Sequence, residues 1–491
     1  MSAPSIVETK YGKIMGTCSE IGIHAFLGIP YAQSPEETPF AAPKAPEKFQ
    51  EIYDARSYGP TAPQSVGTAP VSIIFPEKHI SGKNFLNLNI WTNELTTKNP
   101  VMIFIHGGSF TSGSGAIDGY NGASYAEKGI VLVTLNYRLG IQGFAYTDDG
   151  ELNVGLLDQI QGIKWIKENI INFGGDPNNI TLFGESAGAM SIGALLAMPA
   201  ANGLFQRAIL ESGAASHCIS LNSARKISKR LGEILDIKMT KANLTSIPPD
   251  QLLAAQQQIS QELSQTPNVS NWGDVAYKGL PFEPIIDGIH LPAHPLHLIN
   301  DQDVRQLLIG FNREEANILF VPTQMMDKVH GWFVYYAAFR YHLPLLRTAH
   351  LFHALNPLKR ALSESTQLLT DIIYRVPGLR LAQLFPTSYV YEFCWQSPAF
   401  DGRLGAAHGV ELPFVFNNLD TEDWSGIVGD DKDQQLADTI QNAWIAFAKN
   451  DHPGWNKYHD YVDIRYFGPS ISNENQREKQ LAFVEKHLTV L

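Results

Sequence analysis

Short segments of apolar, often β-branched residues recur along the chain and predict the strands of a buried sheet. The segments 101–105 (VMIFI) and 130–135 (IVLVTL) have strand length and almost no polar residues. Such runs are typical of strands that are covered on both faces. Comparable runs predict further strands at 180–183, 207–210, 305–309 and 389–393.

Segments with helical periodicity lie between these predicted strands. Apolar residues recur at helical spacing from Leu156 to Ile170, with charged residues between them, and indicate an amphipathic helix. The predicted strand at 180–183 is followed by a predicted helix of small residues at 187–198. Strands and helices that alternate in this way pair in parallel and cover both faces of the sheet. We therefore expect an α/β fold with a large, mostly parallel central sheet.

Two segments interrupt this alternation. Residues 60–84 contain several prolines, show no clear period and are predicted to form a loop. Residues 327–386 have a helical pattern and are predicted to form an insertion that covers one end of the sheet within a single domain, 1–491. We expect most aromatic residues of the insertion to pack it onto the body, although they are also candidates for a substrate pocket. These residues are Trp332, Phe333, Tyr335, Tyr336, Phe339 and Tyr341.

Composition and charge narrow the range of functions. The 491 residues include 49 acidic and 37 basic ones, a formal charge of −12, and this acidic balance argues against nucleic-acid binding. No run approaches the roughly 18 apolar residues of a membrane-spanning helix, and no secretory signal is recognisable at the N-terminus. Three widely spaced cysteines are too few for a disulfide framework. We expect a protein of the cytoplasm without a membrane anchor; a mature secreted chain is the alternative.

The segment 184–188 (GESAG) is the strongest indication of chemistry in the sequence. It is the sole match to Gly-x-Ser-x-Gly and lies between a predicted strand and a predicted helix. A strand that turns into a helix within a few residues strains the backbone of the serine, and the positions two residues away leave room for glycine alone. The Ser186 hydroxyl then projects at a helix N-terminus, where developing negative charge is favoured. We predict that Ser186 is a nucleophile.

A glycine-rich loop follows the predicted strand at 101–105. The sequence 106–110 (HGGSF) would expose backbone N–H groups of Gly108 and Ser109, and Ala187 after the nucleophile would supply a third. Acyl transfer requires such donors around the negatively charged oxygen of the tetrahedral intermediate. These three residues are therefore the predicted oxyanion hole, and His106 is expected to organise the loop.

With these motifs in place, the chain resembles a type-B carboxylesterase of the cholinesterase-like branch of the α/β-hydrolases, and its size is most similar to that of bacterial para-nitrobenzyl esterases. The resemblance implies the α/β-hydrolase fold and covers nearly the whole sequence. The matching segments are 26–32 (FLGIPYA), 86–91 (LNLNIW), 106–110 (HGGSF), 136–140 (NYRLG), 155–159 (GLLDQ), 172–177 (NFGGDP), 184–188 (GESAG), 310–315 (GFNREE), 408–411 (HGVE) and 444–448 (WIAFA).

A serine nucleophile needs a general base, and histidine has the appropriate pKa. In α/β-hydrolases the order along the chain is nucleophile, acid, base, which leaves His330, His342, His408 and His452 as examples of late candidates. His408 lies in a loop of small residues, 405–409, and the family motif falls on the same residue. It is therefore the predicted base.

The acid that orients this histidine is predicted after the strand at 305–309. Glu314 and Glu315 are adjacent there, and residue chemistry alone does not separate them. The resemblance implies Glu315. It also implies that three polar residues, Glu185, Ser212 and Glu411, surround the catalytic groups, although a purely structural role is equally plausible for each.

The chain also departs from its relatives in the 60–84 loop, which the resemblance places over the site. Ala62 and Phe85 occupy the positions of a disulfide found in many relatives, so the loop has no covalent clamp and is expected to be more mobile. Phe75 is the sole aromatic residue of the loop. Because recognition of choline requires an aromatic cage, we expect no selectivity for choline esters.

We predict a serine carboxylesterase that hydrolyses small to medium carboxylic esters through an acyl-enzyme, with no cofactor and no metal. The alternatives are a lipase-like or xenobiotic-detoxifying hydrolase and, with less support, a non-catalytic adhesion protein of the same fold. Activity is expected to fall below a pKa of about 6–7, where a histidine base becomes protonated.

Overall fold

One large sheet crosses the molecule. A computed structural model describes residues 3–65, 74–299, 306–430, 432–460, 463–469 and 474–489. The strands found within them are Ala3–Thr9 (β1), Gly12–Cys18 (β2), His24–Pro30 (β3), Tyr53–Asp54 (β4), Asn87–Thr92 (β5), Asn99–Ile105 (β6), Val131–Leu135 (β7), Gly175–Glu185 (β8), Arg207–Glu211 (β9), Ile219–Ser220 (β10), Ile285–Ile286 (β11), Gln306–Asn312 (β12), Tyr389–Phe393 (β13) and Arg465–Phe467 (β14).

The sheet runs in the order β1-β2-β3-β5-β7-β6-β8-β9-β12-β13-β14, with β4 beside β2, while β10 and β11 pair separately. The first strands, as far as the β5–β7 pair, are antiparallel. From β7 through β6 to β14 every pair is parallel. The prediction of a mostly parallel sheet is thus confirmed, although the strand at 130–135 begins one residue later than predicted.

Helices cover the sheet and connect its strands. The α-helices of the described residues are Ala123–Glu127 (α1), Gly140–Phe144 (α2), Val154–Asn169 (α3), Ala187–Leu195 (α4), Leu221–Leu235 (α5), Lys241–Thr245 (α6), Pro249–Gln265 (α7), Val269–Trp272 (α8), Val275–Lys278 (α9), Pro295–Leu298 (α10), Asn317–Phe320 (α11), Trp332–Arg340 (α12), Leu345–Leu351 (α13), Leu362–Thr370 (α14), Val376–Leu384 (α15), Leu412–Val415 (α16), Ser425–Val428 (α17), Gln434–Asn450 (α18) and Glu474–His487 (α19).

Several predicted boundaries differ from the structure, two of them by three residues or more. The strand predicted at 180–183 begins at Gly175 and includes Pro177. Its register against β6 shifts between Asn99 and Val101, and a proline is tolerated at such an irregularity because one ladder bond is missing there. The helix predicted at 187–198 ends at Leu195.

The sheet separates two hydrophobic clusters. Along β6, Ile103 and Ile105 belong to one cluster, and Met102 and Phe104 belong to the other. Successive side chains of a strand point to opposite faces, so a continuously apolar strand packs against helices on both sides. All four of these side chains are fully buried, as the sequence predicts for a doubly covered strand.

A third hydrophobic cluster lies in the predicted insertion at 327–386. It joins Val334 and Ala338 of α12 to Ile372 and to Phe483 and Val484 of the C-terminal helix α19.

The expectation that most aromatic residues of the insertion pack it onto the body fails for three of the six residues. The relative exposures are 49 % for Trp332, 40 % for Tyr336 and 72 % for Phe339, whereas Tyr341 is buried and Phe333 packs against the third cluster. The small and branched residues of α12 face that cluster, so the three exposed aromatic residues are left to solvent and to a neighbouring cavity.

Candidate active site

The predicted nucleophile lies on a strained turn at the carboxyl end of β8. Ser186 has φ 54° and ψ −123°, in a region that residues other than glycine seldom adopt, and α4 begins at the next residue. A Cβ atom on Gly184 would lie 2.7 Å from the Ile105 carbonyl oxygen, and one on Gly188 would overlap that same oxygen. The two glycines of the motif thus allow the turn to pack closely against β6.

The predicted oxyanion loop lies beside this turn. Gly108 has φ 106° and Ser109 has φ 54°, so the loop turns sharply through both residues. The Gly108 carbonyl accepts the N–H groups of Thr111 and Ser112, whereas the N–H groups of Gly108 and Ser109 form no hydrogen bond with any described residue. Ala187 occupies the first position of α4, where the N–H has no partner within the helix.

His408 reaches the same region from the loop after β13. Its Nδ1 lies 2.7 Å from Glu315 Oε2, and its backbone N–H donates to the Glu315 carbonyl at 3.3 Å. The structure separates the two adjacent glutamates, because Glu314 Oε2 instead accepts the N–H of Ala406 at 2.8 Å.

The other three late histidines make different contacts. His330 Nδ1 lies 2.9 Å from the Lys328 carbonyl oxygen, the His342 ring contacts Tyr277, and the His452 ring contacts Tyr389. The structure does not bring them into the cavity that contains Ser186 and His408.

That cavity has a volume of about 740 Å³. Ser186 and His408 are both 9 % exposed. No hydrogen bond joins them in the described part of the chain; His408 Nε2 lies 3.1 Å from Glu185 Oε1, on the residue before the nucleophile. Catalytic hydrogen bonds are often long or poorly aligned when no substrate is bound.

Two of the three polar residues predicted around the catalytic groups, Ser212 and Glu411, belong to one buried network, whereas Glu185 contacts His408. Ser212 Oγ donates to Glu411 Oε1 at 3.2 Å, and Glu411 Oε2 accepts from the side-chain amide of Asn312. The backbone N–H of Asn312 donates to Glu315 Oε1 at 2.7 Å, and its side chain also donates to the Ala407 carbonyl at 2.7 Å.

Asn312 is a residue that the sequence analysis missed. It links Glu315, Glu411 and the loop of His408, and its one signal is its place in the segment 310–315 (GFNREE). Tyr374 was missed as well. Its ring centroid lies 4.8 Å from that of His408, and it belongs to a π-helical turn, Asp371–Arg375, that sequence periodicity does not reveal.

Buried carboxyl groups set the electrostatics of the site. Burial opposes protonation of His408, but Glu185 and Glu315 outweigh this effect and raise its pKa to about 9. Burial raises the pKa of Glu185 to about 8 and that of Glu411 to about 7. The imidazole is therefore a stronger base than a free histidine.

The ends of the 60–84 loop lie at the cavity, and its middle, 66–73, lies outside the described residues. Gln64 bonds to both backbone groups of Gly113, and Phe75 lines the cavity. Ala62 and Phe85 are both buried, so apolar packing occupies the two positions where many relatives have cysteines.

No group of three or more His, Cys, Asp or Glu side chains in the described ranges is arranged to hold a metal ion. No helix in those ranges is long and apolar enough to cross a membrane.

A family model described as the carboxylesterase family matches residues 3–484. The chain belongs to the carboxylesterase family. This carboxylesterase is 38 % identical to the para-nitrobenzyl esterase of Bacillus subtilis, with 97 % of each chain covered. It is 32 % identical to the phenmedipham hydrolase of Pseudarthrobacter oxydans, and the alignment covers 93 % of this chain and 92 % of that one.

Solved structures give the same result. A para-nitrobenzyl (PNB) esterase superimposes with a TM-score of 0.82 at 33 % identity, covering 97 % of this chain and 99 % of that one. A carboxylesterase of Geobacillus stearothermophilus gives a TM-score of 0.79 at 30 % identity, covering 96 % and 99 %. The predicted α/β-hydrolase fold is confirmed, and the carboxylesterase is a serine hydrolase that acts on carboxylic esters.

Proposed function

We propose that Ser186, His408 and Glu315 form the catalytic triad of this carboxylesterase. The observation that supports this assignment most strongly is the strained turn of Ser186 in one cavity with His408, whose other ring nitrogen lies 2.7 Å from Glu315. A nucleophile, its base and a group that orients the base are the arrangement that activates a serine hydroxyl.

In the acylation step, Ser186 Oγ attacks the ester carbonyl carbon and His408 Nε2 takes the hydroxyl proton. Glu315 orients the imidazole and stabilises the cation that forms, without accepting its proton. His408 then gives the proton to the departing alcohol as the ester C–O bond breaks. The acyl group stays on Ser186, and water releases it as a carboxylic acid in a second attack assisted by His408.

The oxygen of the tetrahedral intermediate is held by the N–H groups of Gly108, Ser109 and Ala187. These groups have no protein partner in the conformation described, so they are available without rearrangement at the moment the charge develops. Preorganised donors of this kind contribute about 3 kcal/mol each to transition-state stabilisation.

Glu185, Ser212 and Glu411 act through His408. Glu185 lies against Nε2, and the Ser212–Glu411–Asn312 network anchors both Glu315 and the His408 loop. We propose that they position the imidazole and raise its basicity.

The substrates proposed are small to medium esters. A cavity of about 740 Å³ lies within the usual range for small-molecule sites. Ile318, Leu319 and Phe320 contribute an apolar wall, which suits an aliphatic or aryl group. A lipase-like preference would appear as a rising kcat/KM toward long acyl chains, and we expect a maximum at short to medium chains.

Two segments are proposed to cover this site within a single domain. The 60–84 loop contributes Phe75, Pro76 and Glu77 to the cavity, and the helical segment 327–386 contributes α12 and the Tyr374 turn. Location in the cytoplasm is also proposed, supported by three free cysteines, two of them buried.

Steady-state hydrolysis of 4-nitrophenyl butanoate tests the nucleophile. We expect Ser186→Ala to lower kcat at least about a thousandfold. Ser191→Ala is the matched control, because Ser191 is buried in the same helix and its Oγ bonds to Gln159 at 3.1 Å rather than lining the cavity. A Ser186→Ala enzyme as active as the control would contradict the assignment.

A further inference from the structure

Two cationic side chains line the proposed active-site cavity. Lys278 is the last residue of α9, and Arg340 is the last residue of α12. The two helices pack end against end, because the Arg340 guanidinium donates to the Ala276 carbonyl and Tyr341 Oη donates to the Tyr277 carbonyl at 2.8 Å. The two positive charges therefore occupy one side of the cavity.

Both cations have more N–H donors than the hydrogen bonds described for them use. The Lys278 ammonium carries three N–H groups and donates to the backbone carbonyls of Ser216, at 3.1 Å, and Cys218. Arg340 carries five N–H groups, and its Nε is buried without a hydrogen-bond partner. Within the described residues, no carboxylate lies within 4 Å of either cation.

The carboxylates near Lys278 and Arg340 do not neutralise the charges of these two side chains. Glu77 and Glu185 also line the cavity, but each lies against an imidazole: Glu77 Oε2 is 3.2 Å from His79 Nε2, and Glu185 Oε1 is 3.1 Å from His408 Nε2. Glu283 lies within electrostatic reach of Lys278, but burial raises its pKa to about 7, so it is only partly ionised at neutral pH.

The two cations line the same cavity as the proposed catalytic histidine. His217 also lines this cavity, and burial together with the charges of Lys278 and His408 lowers its pKa to about 4. His217 thus stays neutral and lies within electrostatic reach of both groups. On the other side, Tyr341 follows Arg340 and interacts with Tyr374, whose ring lies 4.8 Å from that of His408.

We propose that the cavity selects esters that carry a carboxylate group, which Lys278 and Arg340 bind while the ester carbonyl lies at Ser186. This inference rests on the proposed function. The substrate class is the monoester of a dicarboxylic acid, in which the free carboxylate accepts the unused N–H donors of the two cations. Charge-assisted hydrogen bonds of this kind are roughly twice as strong as neutral ones, and Arg binds carboxylates in bidentate geometry.

Two esters of equal acyl length test the proposal. Mono-4-nitrophenyl adipate carries a distal carboxylate, and methyl 4-nitrophenyl adipate carries the same chain with that carboxylate capped. Release of 4-nitrophenolate reports kcat/KM for both. We expect the wild-type enzyme to favour the anionic ester at least about tenfold, since one charged hydrogen bond is worth about that factor.

Variants assign the preference to the two cations. Lys278→Met and Arg340→Met should each lower the preference for the anionic ester, measured as the ratio of kcat/KM for the anionic ester to that for the capped ester, about tenfold. Lys278→Arg should retain the preference. Lys328→Met is the matched control, because it removes one exposed positive charge from the same insertion without touching the cavity.

The two esters together distinguish a failure of the carboxylate proposal from a failure of the proposed esterase function. A wild-type enzyme that hydrolyses the capped ester as well as the anionic one overturns the carboxylate proposal and leaves the serine esterase intact. Parallel changes on both esters in the Met variants, with the control unaffected, also overturn it. Failure of the wild-type enzyme on both esters would instead contradict the proposed function.

Discussion

Glu315 Oε2 lies 2.7 Å from His408 Nδ1, although the two residues are 93 positions apart in the chain. The neighbouring Glu314 faces the N–H of Ala406 instead. Two identical side chains at adjacent positions thus have different partners, and this difference can be tested by identical substitutions.

We expect Glu315→Gln to lower kcat at least about a hundredfold, because an amide can donate to Nδ1 and favour the wrong tautomer. Glu314→Gln should cost less than about threefold. Steady-state kinetics with 4-nitrophenyl butanoate measures both. Equal losses in the two variants would show that Glu315 has no special relation to His408.

The pH dependence should depend on Glu185. Glu185 and Glu315 raise the pKa of His408 to about 9 against the effect of burial, so the acidic limb of kcat/KM should lie above the 6–7 expected from an isolated histidine. Glu185→Gln removes one negative charge from beside the protonated His408 imidazole, and the pKa of His408 is lowered. The limb should then move to lower pH, by about one unit or more, and pH profiles of wild type and variant measure the shift.

Glu314→Gln is the control for this experiment, because Glu314 bonds to Ala406 and does not contact the imidazole. An acidic limb that stays in place in Glu185→Gln would show that another group controls it.

A buried glutamate outside the cavity should make stability depend on pH. Burial raises the pKa of Glu283 from 4.5 to about 7, and neither of its carboxylate oxygens has a hydrogen-bond partner among the described residues. The folded state therefore binds this proton more tightly than the unfolded state, and stability falls as pH rises from 4.5 toward 7.

Glu283→Gln removes that titration. Relative to wild type, the variant should gain roughly 3 kcal/mol between pH 5 and pH 8. Thermal unfolding at the two pH values measures the gain. The control Glu262→Gln changes a half-buried glutamate whose pKa is lowered by Arg230, and it should show no such gain. A pH-independent difference between Glu283→Gln and wild type contradicts the argument.

The turn at Ser186 should not tolerate a side chain at Gly188, where a Cβ would overlap the Ile105 carbonyl. We expect Gly188→Ala to lower the free energy of unfolding by about 3 kcal/mol or more. Gly162→Ala in α3 is the control, since its Cβ would meet Leu135 at 3.3 Å and a flexible side chain can adjust. Thermal unfolding of both variants tests the difference; similar melting temperatures would contradict it.

Local pattern was sufficient to predict much of the fold. The apolar runs at 101–105 and 130–135 predicted doubly covered strands, and their successive side chains do lie in both hydrophobic clusters. The motif at 184–188 predicted a strained turn, because the cause of the strain is local. A strand turns into a helix at the serine within a few residues.

Contacts between distant residues were not available from local pattern. The pairing of His408 with Glu315 required the family resemblance, and the Asn312 network that holds both was missed. The aromatic residues of α12 were predicted as packing residues, because periodicity shows that a helix has an apolar face but not what that face meets. In the structure Trp332 and Phe339 are exposed and Tyr336 lines the cavity, while the small residues of α12 pack in the third cluster.

The most direct test of the central assignment is covalent labelling by diethyl 4-nitrophenyl phosphate, followed by peptide mass spectrometry. Ser186 Oγ should displace 4-nitrophenolate and retain one diethylphosphoryl group, with loss of esterase activity in proportion to labelling, and His408→Ala should label far more slowly. A phosphoryl group on a different residue, or full activity after Ser186 is labelled, would contradict the account.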